Sequence, residues 1–254
     1  MRIAVCIKRV PITGGRILLT DDARAINTQH LGFTMSPHEE CGVEEAARLI
    51  EANKGDSVVL TLGPPEAVEQ LRDAMALGVD RAIHLQTDGQ EWDAEATASA
   101  LLEAITADEA ANGPFDIVFF GNESADSGGF QVGIRVAYSL GRPCVTGLKK
   151  VTLEGSFVRC EQEVEGGRDV YVVPLPAVLT VKEGLNLPRY PSVPGKMRAR
   201  SKPVAVATPT RPAPRLELVR LAVPAGQGRR AESLGNGATA APAVVDVLRK
   251  AGVL

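Results

Sequence analysis

The chain has 254 residues, of which 44% are hydrophobic, and its formal net charge is −3. This much apolar sequence can bury a full core, so we predict one large α/β domain with an appendage. The small negative charge argues against a general affinity for nucleic acid or for an anionic membrane surface. No apolar run approaches the roughly 20 residues of a membrane span, so an integral membrane protein is not expected.

The residue types that carry out catalysis or bind metals are scattered along the chain. The four cysteines form no CxxC pair, and the three histidines form no ligand cluster. We therefore predict no catalytic residue, no metal site and no disulfide framework. Widely spaced thiols are typical of a reducing compartment, so we expect a cytoplasmic protein.

Apolar runs and helix signals alternate over the first half of the chain. The runs predict buried strands at residues 3–7, 57–62, 82–85 and 117–120. A helix is predicted after each strand, and a short hairpin over residues 14–34 precedes the first helix. That helix begins at Ser36-Pro37, where Ser36 and Glu39 form a predicted capping box. Asp93 is predicted to cap the third helix.

This order is typical of a doubly wound, mostly parallel, Rossmann-like sheet. Right-handed crossovers bring the loops after the parallel strands to one rim of the sheet. We therefore predict a nucleotide-binding crevice at that rim. The four loops rich in Gly, Pro and Ser are residues 8–13, 36–39, 62–65 and 121–132. In the first of them, Lys8 and Arg9 are either a solvated strand end or charge that faces a phosphate or a partner.

The central loop, residues 121–132, joins the strand at residues 117–120 to the helix that follows. A helix N-terminus at the carboxyl end of a parallel strand presents free N–H groups to an anion. The loop has neither a GxGxxG nor a P-loop pattern, so an ordinary glycine-containing βα loop is the alternative.

A different pattern begins near residue 151. Alternating residues 158–164 and 170–173 predict a β-hairpin, and a further strand is predicted over residues 175–181. Residues 185–198 form an irregular segment rich in proline and basic residues. It is either a surface loop packed on the domain or a protruding recognition loop with an apolar anchor.

The last fifty residues predict an extended arm. It has one short strand at residues 216–221, a flexible gap near residues 226–237, and an amphipathic helix that begins at Pro242. We therefore divide the chain into a nucleotide-binding α/β domain (residues 1–184), a partner-recognition loop (185–202) and a C-terminal arm with a terminal helix (203–254).

Several motifs resemble the electron transfer flavoprotein β subunit. The similarity runs in register from residue 1 to about residue 204, and its most specific part is Leu185-Asn186-Leu187-Pro188-Arg189-Tyr190. The other matching motifs are the stretches at residues 5–10, 36–37, 43–46, 76–82, 165–167 and 175–178.

The resemblance implies a heterodimer in which an α subunit makes most contacts to a redox-active FAD and the β subunit holds an AMP. It also implies an electron carrier rather than an enzyme, which takes electrons from acyl-CoA or related dehydrogenases and passes them to a quinone-linked oxidoreductase. Carried over by position, the residues of the AMP site are Cys6, Ser36, Pro37, His38, Glu39, Leu62, Gly121, Asn122, Glu123, Ser124, Ala125, Asp126, Ser127, Gly128, Gly129, Phe130, Gln131 and Val132.

The same resemblance makes residues near Val193 the surface that anchors a dehydrogenase. The implied partner-binding residues are Arg189, Tyr190, Val193, Lys196 and Met197. Val193 is smaller than the leucine usual in the family, which implies a difference in the affinity or identity of the partner.

The sequence departs from the family pattern in the central loop. The central loop ends in Phe130-Gln131-Val132-Gly133 where Asn-Gln-Thr-Gly is usual, and Ser36-Pro37-His38-Glu39 stands where Asn-Pro-Phe-Cys is usual. The Gln-Val-Gly form is closer to branches whose β subunit binds a second FAD and bifurcates electrons. The other alternative is an ATP-binding stress-type or hydrolase domain, although residues 121–132 offer no lysine for a triphosphate.

Overall fold

A nine-stranded β-sheet forms the centre of the computed structural model, which describes residues 1–14, 17–224 and 232–254. The strands are, in chain order, β1 (Arg2–Ile7), β2 (Arg9–Pro11), β3 (Phe33–Met35), β4 (Asp56–Gly63), β5 (Arg81–Gln86), β6 (Ile117–Gly121), β7 (Cys144–Glu154), β8 (Phe157–Val164), β9 (Gly167–Pro174), β10 (Ala177–Val181) and β11 (Val204–Ala207). The α-helices are α1 (Pro37–Asn53), α2 (Val68–Ala76), α3 (Ala94–Asn112), α4 (Val132–Leu140), α5 (Val193–Ser201) and α6 (Ala241–Lys250). Short 3₁₀ turns precede α2 and α6, at Pro65–Ala67 and Gly237–Ala240.

The large sheet has the strand order β11-β5-β4-β1-β6-β10-β7-β8-β9, and β2 pairs with β3 in a separate antiparallel ribbon. Its strands run parallel from β11 to β7, and β8 and β9 extend it with antiparallel pairs. The chain builds outward from β1 in both directions, since β4 lies on one side and β6 on the other. The predicted doubly wound, mostly parallel α/β fold is therefore confirmed.

The central strands are buried on both faces, which is why their sequences are continuous apolar runs. In β1, Ile3 and Val5 face a core that includes residues of α1 and α2. Ala4 and Cys6 face a second core, which includes residues of α3 and α4. The two layers of helices therefore cover opposite faces of the sheet and leave its carboxyl rim to the loops.

Several predicted elements are confirmed. The hairpin is β8 and β9, with Val164 opposite Gly167, and the strand predicted after it is β10. The carboxylate of Asp93 accepts a hydrogen bond from the N–H of Ala96 at 2.8 Å and caps α3. The terminal helix is α6. Of the hairpin predicted over residues 14–34, the described part shows an antiparallel bridge between Leu19 and Ile26.

Other predictions are wrong. Residues 193–201 form α5, because Ser192 caps that helix and Pro194 lies in its first turn, so the segment is irregular only up to residue 192. Residues 216–221 form no strand, and the edge position beside β5 is taken by β11 instead. Strand β7 and the pairing of β11 with β5 were not predicted.

The prediction of a capping box at the start of α1 is also wrong. Helix α1 does begin after Ser36 with Pro37 in its first turn, but the Ser36 hydroxyl makes no capping hydrogen bond. The Glu39 carboxylate accepts a hydrogen bond from the N–H of Lys8, in the loop after β1, and the reciprocal pair of cap hydrogen bonds that a capping box requires is not formed.

The C-terminal arm crosses its own domain before it reaches α6. The N–H of Leu221 donates to the carbonyl of Ala23 at 2.7 Å, and the Arg211 guanidinium donates to Gln90 and to the carbonyl of Glu91. The gap predicted near residues 226–237 lies partly outside the described residues. Among those that are described, no helix is both long enough and apolar enough to cross a membrane.

Candidate nucleotide-binding site

The carboxyl ends of β1 and β6 mark the point where the sheet order reverses. Strands β4, β5 and β11 continue on one side of β1, and β6, β10 and β7 continue on the other. The loops that leave β1 and β6 therefore diverge and open a crevice, which is where open α/β sheets bind ligands. The central loop follows β6 and forms one wall of that crevice, and the first turn of α1 forms the other.

A single ammonium group ties three loops together at this crevice. Lys8 follows β1, and its Nζ lies 2.7 Å from Glu91 Oε1, 2.9 Å from Asp126 Oδ2 and 3.1 Å from Ser127 Oγ. We refer to these four residues as the Lys8 cluster. Burial lowers the pKa of Lys8, but the two carboxylates outweigh it and the pKa lies above its ordinary value. Lys8 therefore stays charged at neutral pH.

The central loop is held by hydrogen bonds to its own atoms and to β10. The N–H of Asn122 donates to the carbonyl of Val181 at 2.9 Å, and the Asn122 side chain accepts from the Thr180 hydroxyl at 3.0 Å. Farther along, the N–H of Gly128 donates to the carbonyl of Ser124 at 3.1 Å. Gly128 has a φ of +60°, in the left-handed region, so this turn favours glycine.

The first turn of α1 packs closely against the start of the central loop. A Cβ at Gly121 would lie 2.7 Å from Glu39 Cγ and 3.3 Å from His38 Cβ, so no larger residue fits at this position without a shift. The Glu39 carboxylate is buried and accepts a hydrogen bond from the N–H of Lys8 at 2.5 Å. Burial raises the pKa of Glu39 to about 8, although the Lys8 N–H and charge act in the opposite direction.

The two walls enclose a cleft of about 490 Å³, within the size range of small-molecule sites. The residues that line it are Pro37, His38, Glu123, Ser124, Ala125, Asp126, Ser127, Gly128 and Glu183. The carboxylates among them suit hydroxyl groups such as those of a ribose, whereas an anion there depends on main-chain N–H groups and on Lys8.

Two buried polar atoms beside this cleft have no hydrogen-bond partner within the described part of the chain. They are the Ser36 hydroxyl and Nδ1 of His38. Buried polar groups are hydrogen-bonded in most proteins, so each such atom is a candidate contact for a ligand. Among the described residues, Ser36 and His38 are therefore the ones beside the cleft that offer unpartnered polar atoms.

The remaining predicted site residues lie at the same rim without lining the cleft. Cys6 is buried in β1, and burial together with the charge of Glu39 raises the pKa of its thiol. Leu62 is half-buried near the end of β4. Phe130 and Gln131 are exposed at the end of the central loop, and Gly129 before them is half-buried.

Sequence reasoning did not identify Glu91 or Glu183 as parts of the site. Glu91 lies between β5 and α3, and Glu183 follows β10. Both strands are parallel members of the sheet, so the rule that gathered the other four loops also applied to these two. No group of three or more potential metal ligands occurs among the residues that the structure describes.

Comparison with known proteins identifies the family of this fold and site. The sequence profile of the electron transfer flavoprotein domain matches residues 24–212. The chain is 37% identical over 212 residues to the electron transfer flavoprotein subunit beta of Mycobacterium bovis, covering 81% of this chain and 78% of that protein. It is 34% identical over 206 residues to the subunit beta of Bacillus subtilis, covering 80% and 77% of the two chains.

The chain belongs to the electron transfer flavoprotein β-subunit family. The similarity extends to animals, since the electron transfer flavoprotein subunit beta of Mus musculus is 33% identical over 207 residues and covers 81% of this chain and 80% of that protein. Membership in the electron transfer flavoprotein β-subunit family gives the chain a role in flavin-dependent electron transport.

Glu39 makes the stability of the protein depend on pH. Its pKa is about 8 in the folded chain and ordinarily 4.5, so its contribution to stability is complete below pH 4.5 and is lost as the pH rises through 8. Glu39→Gln should therefore unfold at a higher urea concentration than the wild type at pH 8. The difference should be on the order of 2 kcal/mol, and it should shrink toward pH 5.

Circular dichroism of both full chains in urea, at pH 5 and pH 8, measures this difference. Glu103→Gln, at an exposed position on α3, controls for the loss of one carboxylate. A stability difference for Glu39→Gln that is the same at both pH values would contradict the assignment.

Proposed function

We propose that this chain is the β subunit of a heterodimeric electron transfer flavoprotein and that it binds AMP in the cleft between α1 and the central loop. The α subunit would hold most of the FAD. The observation that carries the proposal is the cleft at the point where the sheet order reverses, in a chain that belongs to this family.

The residues of the cleft suggest how AMP is held. The main-chain N–H groups of Gly129, Phe130 and Val132, beside the cleft and at the start of α4, would bind the phosphate, and the Lys8 ammonium would lie beside it. Ser36 and His38 offer the unpartnered polar atoms for the nucleoside. AMP bound in this way stabilises the folded subunit by mass action, because only the native cleft binds it.

No residue of this chain needs to act as an acid, a base or a nucleophile in this role. Electrons would arrive at the FAD of the heterodimer from an acyl-CoA or related dehydrogenase and leave to a quinone-linked oxidoreductase. The flavin supplies the redox chemistry, and the protein supplies binding and orientation. We accordingly propose an electron carrier rather than an enzyme.

Residues 185–202 carry an exposed apolar surface that we propose as the dehydrogenase contact. We refer to Leu187, Tyr190, Val193 and Met197 as the docking patch; they are 84%, 97%, 76% and 64% exposed. The exposed cations Lys196, Arg198 and Arg200 lie beside the patch. The apolar patch and the positive charges beside it predict that the dehydrogenase surface has an apolar pocket with an acidic rim. Of the predicted partner-binding residues, Arg189 instead contacts α1.

A second FAD in place of AMP is the other candidate for the cleft. The Gln131-Val132-Gly133 sequence favours it, because that form is closer to bifurcating branches of the family. Gly133 is packed tightly, since a Cβ there would lie 2.9 Å from Thr180 Cγ2. A β subunit with its own flavin would take part directly in redox chemistry.

Co-expression with the α subunit, followed by acid release of bound nucleotides, separates these possibilities. We expect one FAD and one AMP per heterodimer. Two FADs would favour the bifurcating form, and ATP turnover without flavin would overturn the proposal.

In the same preparation, Gly128→Val should lower AMP occupancy several-fold while Gly129→Ala preserves it. The reason is that valine is strained at a φ of +60°, whereas a Cβ at Gly129 meets no atom within 4 Å. Full AMP occupancy in Gly128→Val would remove the central loop from the site.

Val193→Ala tests the docking patch. Loss of two exposed methyl groups at the proposed contact should slow reduction of the heterodimer by the dehydrogenase about threefold to tenfold and leave FAD and AMP content intact. Stopped-flow reduction measures the rate. Val206→Ala, at an exposed apolar position on β11, is the matched control, and equal rates for both variants would contradict the assignment.

A further inference from the structure

Polar contacts hold the chain just before α5 against α1, and we refer to these contacts as the clamp. The Asn186 side chain donates to the carbonyl of Cys41 at 3.0 Å and to Glu45 Oε2 at 2.9 Å. The Arg48 guanidinium donates to the carbonyl of Leu187 at 3.2 Å. Arg189 then pairs with carboxylates of α1. These contacts involve main-chain and polar atoms, so the side chains of Leu187 and Tyr190 remain in solvent.

Glu44 is the buried centre of this clamp. Its side chain is 1% exposed, and its carboxylate lies 2.5 Å from Arg48 Nε and 3.0 Å from Arg189 Nε. The N–H of Arg189 also donates to Glu44 at 3.2 Å. The buried Glu44 carboxylate holds both guanidinium groups, because without them its charge would be unpaired away from water.

Glu51 is the exposed counterpart of Glu44. It lies about two turns farther along α1 on the same face. It accepts hydrogen bonds from Nη1 and Nη2 of Arg189 at 2.6 and 3.1 Å, but its side chain is 57% exposed. Hydrogen bonds to Glu51 and Glu44 raise the pKa of Arg189. The exposed ion pair of Arg189 with Glu51 contributes less to holding Arg189 in place than the buried pair with Glu44, because solvent screens it.

The other side of the docking patch is fixed to α2. The hydroxyl of Ser192 caps α5, and a Cβ at Gly195 would lie 2.6 Å from the carbonyl oxygen of Ala76, so the two helices approach closely there. Lys202 Nζ donates to the carbonyls of Met75 and Val79 at 3.0 and 2.6 Å. The patch therefore lies between two anchored ends.

We propose that Glu44 is a positioning residue for dehydrogenase docking, which acts through Arg189 and Arg48 to hold the docking patch in its binding arrangement. The inference rests on the proposed function of that patch. Glu44 itself is too deeply buried to touch a partner, so its effect on docking must pass through the two arginines. A surface held in place before the encounter loses less conformational freedom on binding.

Steady-state reduction of the heterodimer by the dehydrogenase, with FAD and AMP content measured in parallel, tests the proposal. Glu44→Gln keeps the shape of the side chain and removes its charge. It should raise the KM for the heterodimer about tenfold and leave kcat and cofactor content unchanged. Glu51→Gln, which removes only the exposed half of the clamp, should change the KM less than twofold.

Arg189→Lys provides a second test if Glu44→Gln does not assemble. Lysine keeps the charge but cannot bridge Glu44 and Glu51 with a planar fork, so the KM should rise about threefold. Hydrogen–deuterium exchange of the same heterodimer should show faster exchange in residues 185–192 for both variants.

The combination of Glu44→Gln with Val193→Ala separates this inference from the docking proposal. If Glu44 acts through the patch, the two effects on KM should be less than additive in free energy. A wild-type KM in Glu44→Gln and Arg189→Lys, with a raised KM in Val193→Ala, would overturn the role of Glu44 and keep the patch. A wild-type KM in all three would overturn both.

Discussion

The candidate site depends on the ammonium of Lys8. It connects three loops that are far apart in the sequence: the end of β1, the segment before α3 and the central loop before α4. Asp126 and Glu91 would repel each other without a cation between them, and the Asp126 side chain is only 16% exposed. Because a partly buried carboxylate without its partner is costly, the shape of the cleft follows from the position of this one group.

Helix α1 relates the cleft to the docking patch. Its first turn, at Pro37 and His38, forms one wall of the cleft, and its middle, at Glu44, holds Arg189. The helix has 17 residues and packs on the central strands through Val43 and Ala46, so it is a rigid spacer between the two surfaces. A single element would thus set the position of the proposed nucleotide relative to the proposed docking patch.

The parts of the fold that follow from local pattern could be predicted from the sequence. Continuous apolar runs mark strands buried on both faces, and crossover handedness then places the loops after β1 and β6 at one rim. The features that were missed depend on tertiary contacts. Glu39 matches a capping box, but the N–H of Lys8, in the loop after β1, binds its carboxylate. Helix α5 contains a proline and a glycine, and its close contact with α2 stabilises it.

Hydrogen–deuterium exchange on the heterodimer, stripped of nucleotide and then supplied with AMP, tests the central claim most directly. If AMP binds between α1 and the central loop, exchange should slow in peptides that cover residues 36–39 and 121–132, and it should stay the same in the hairpin of β8 and β9. Protection confined to other parts of the chain, or no protection at saturating AMP, would contradict the account.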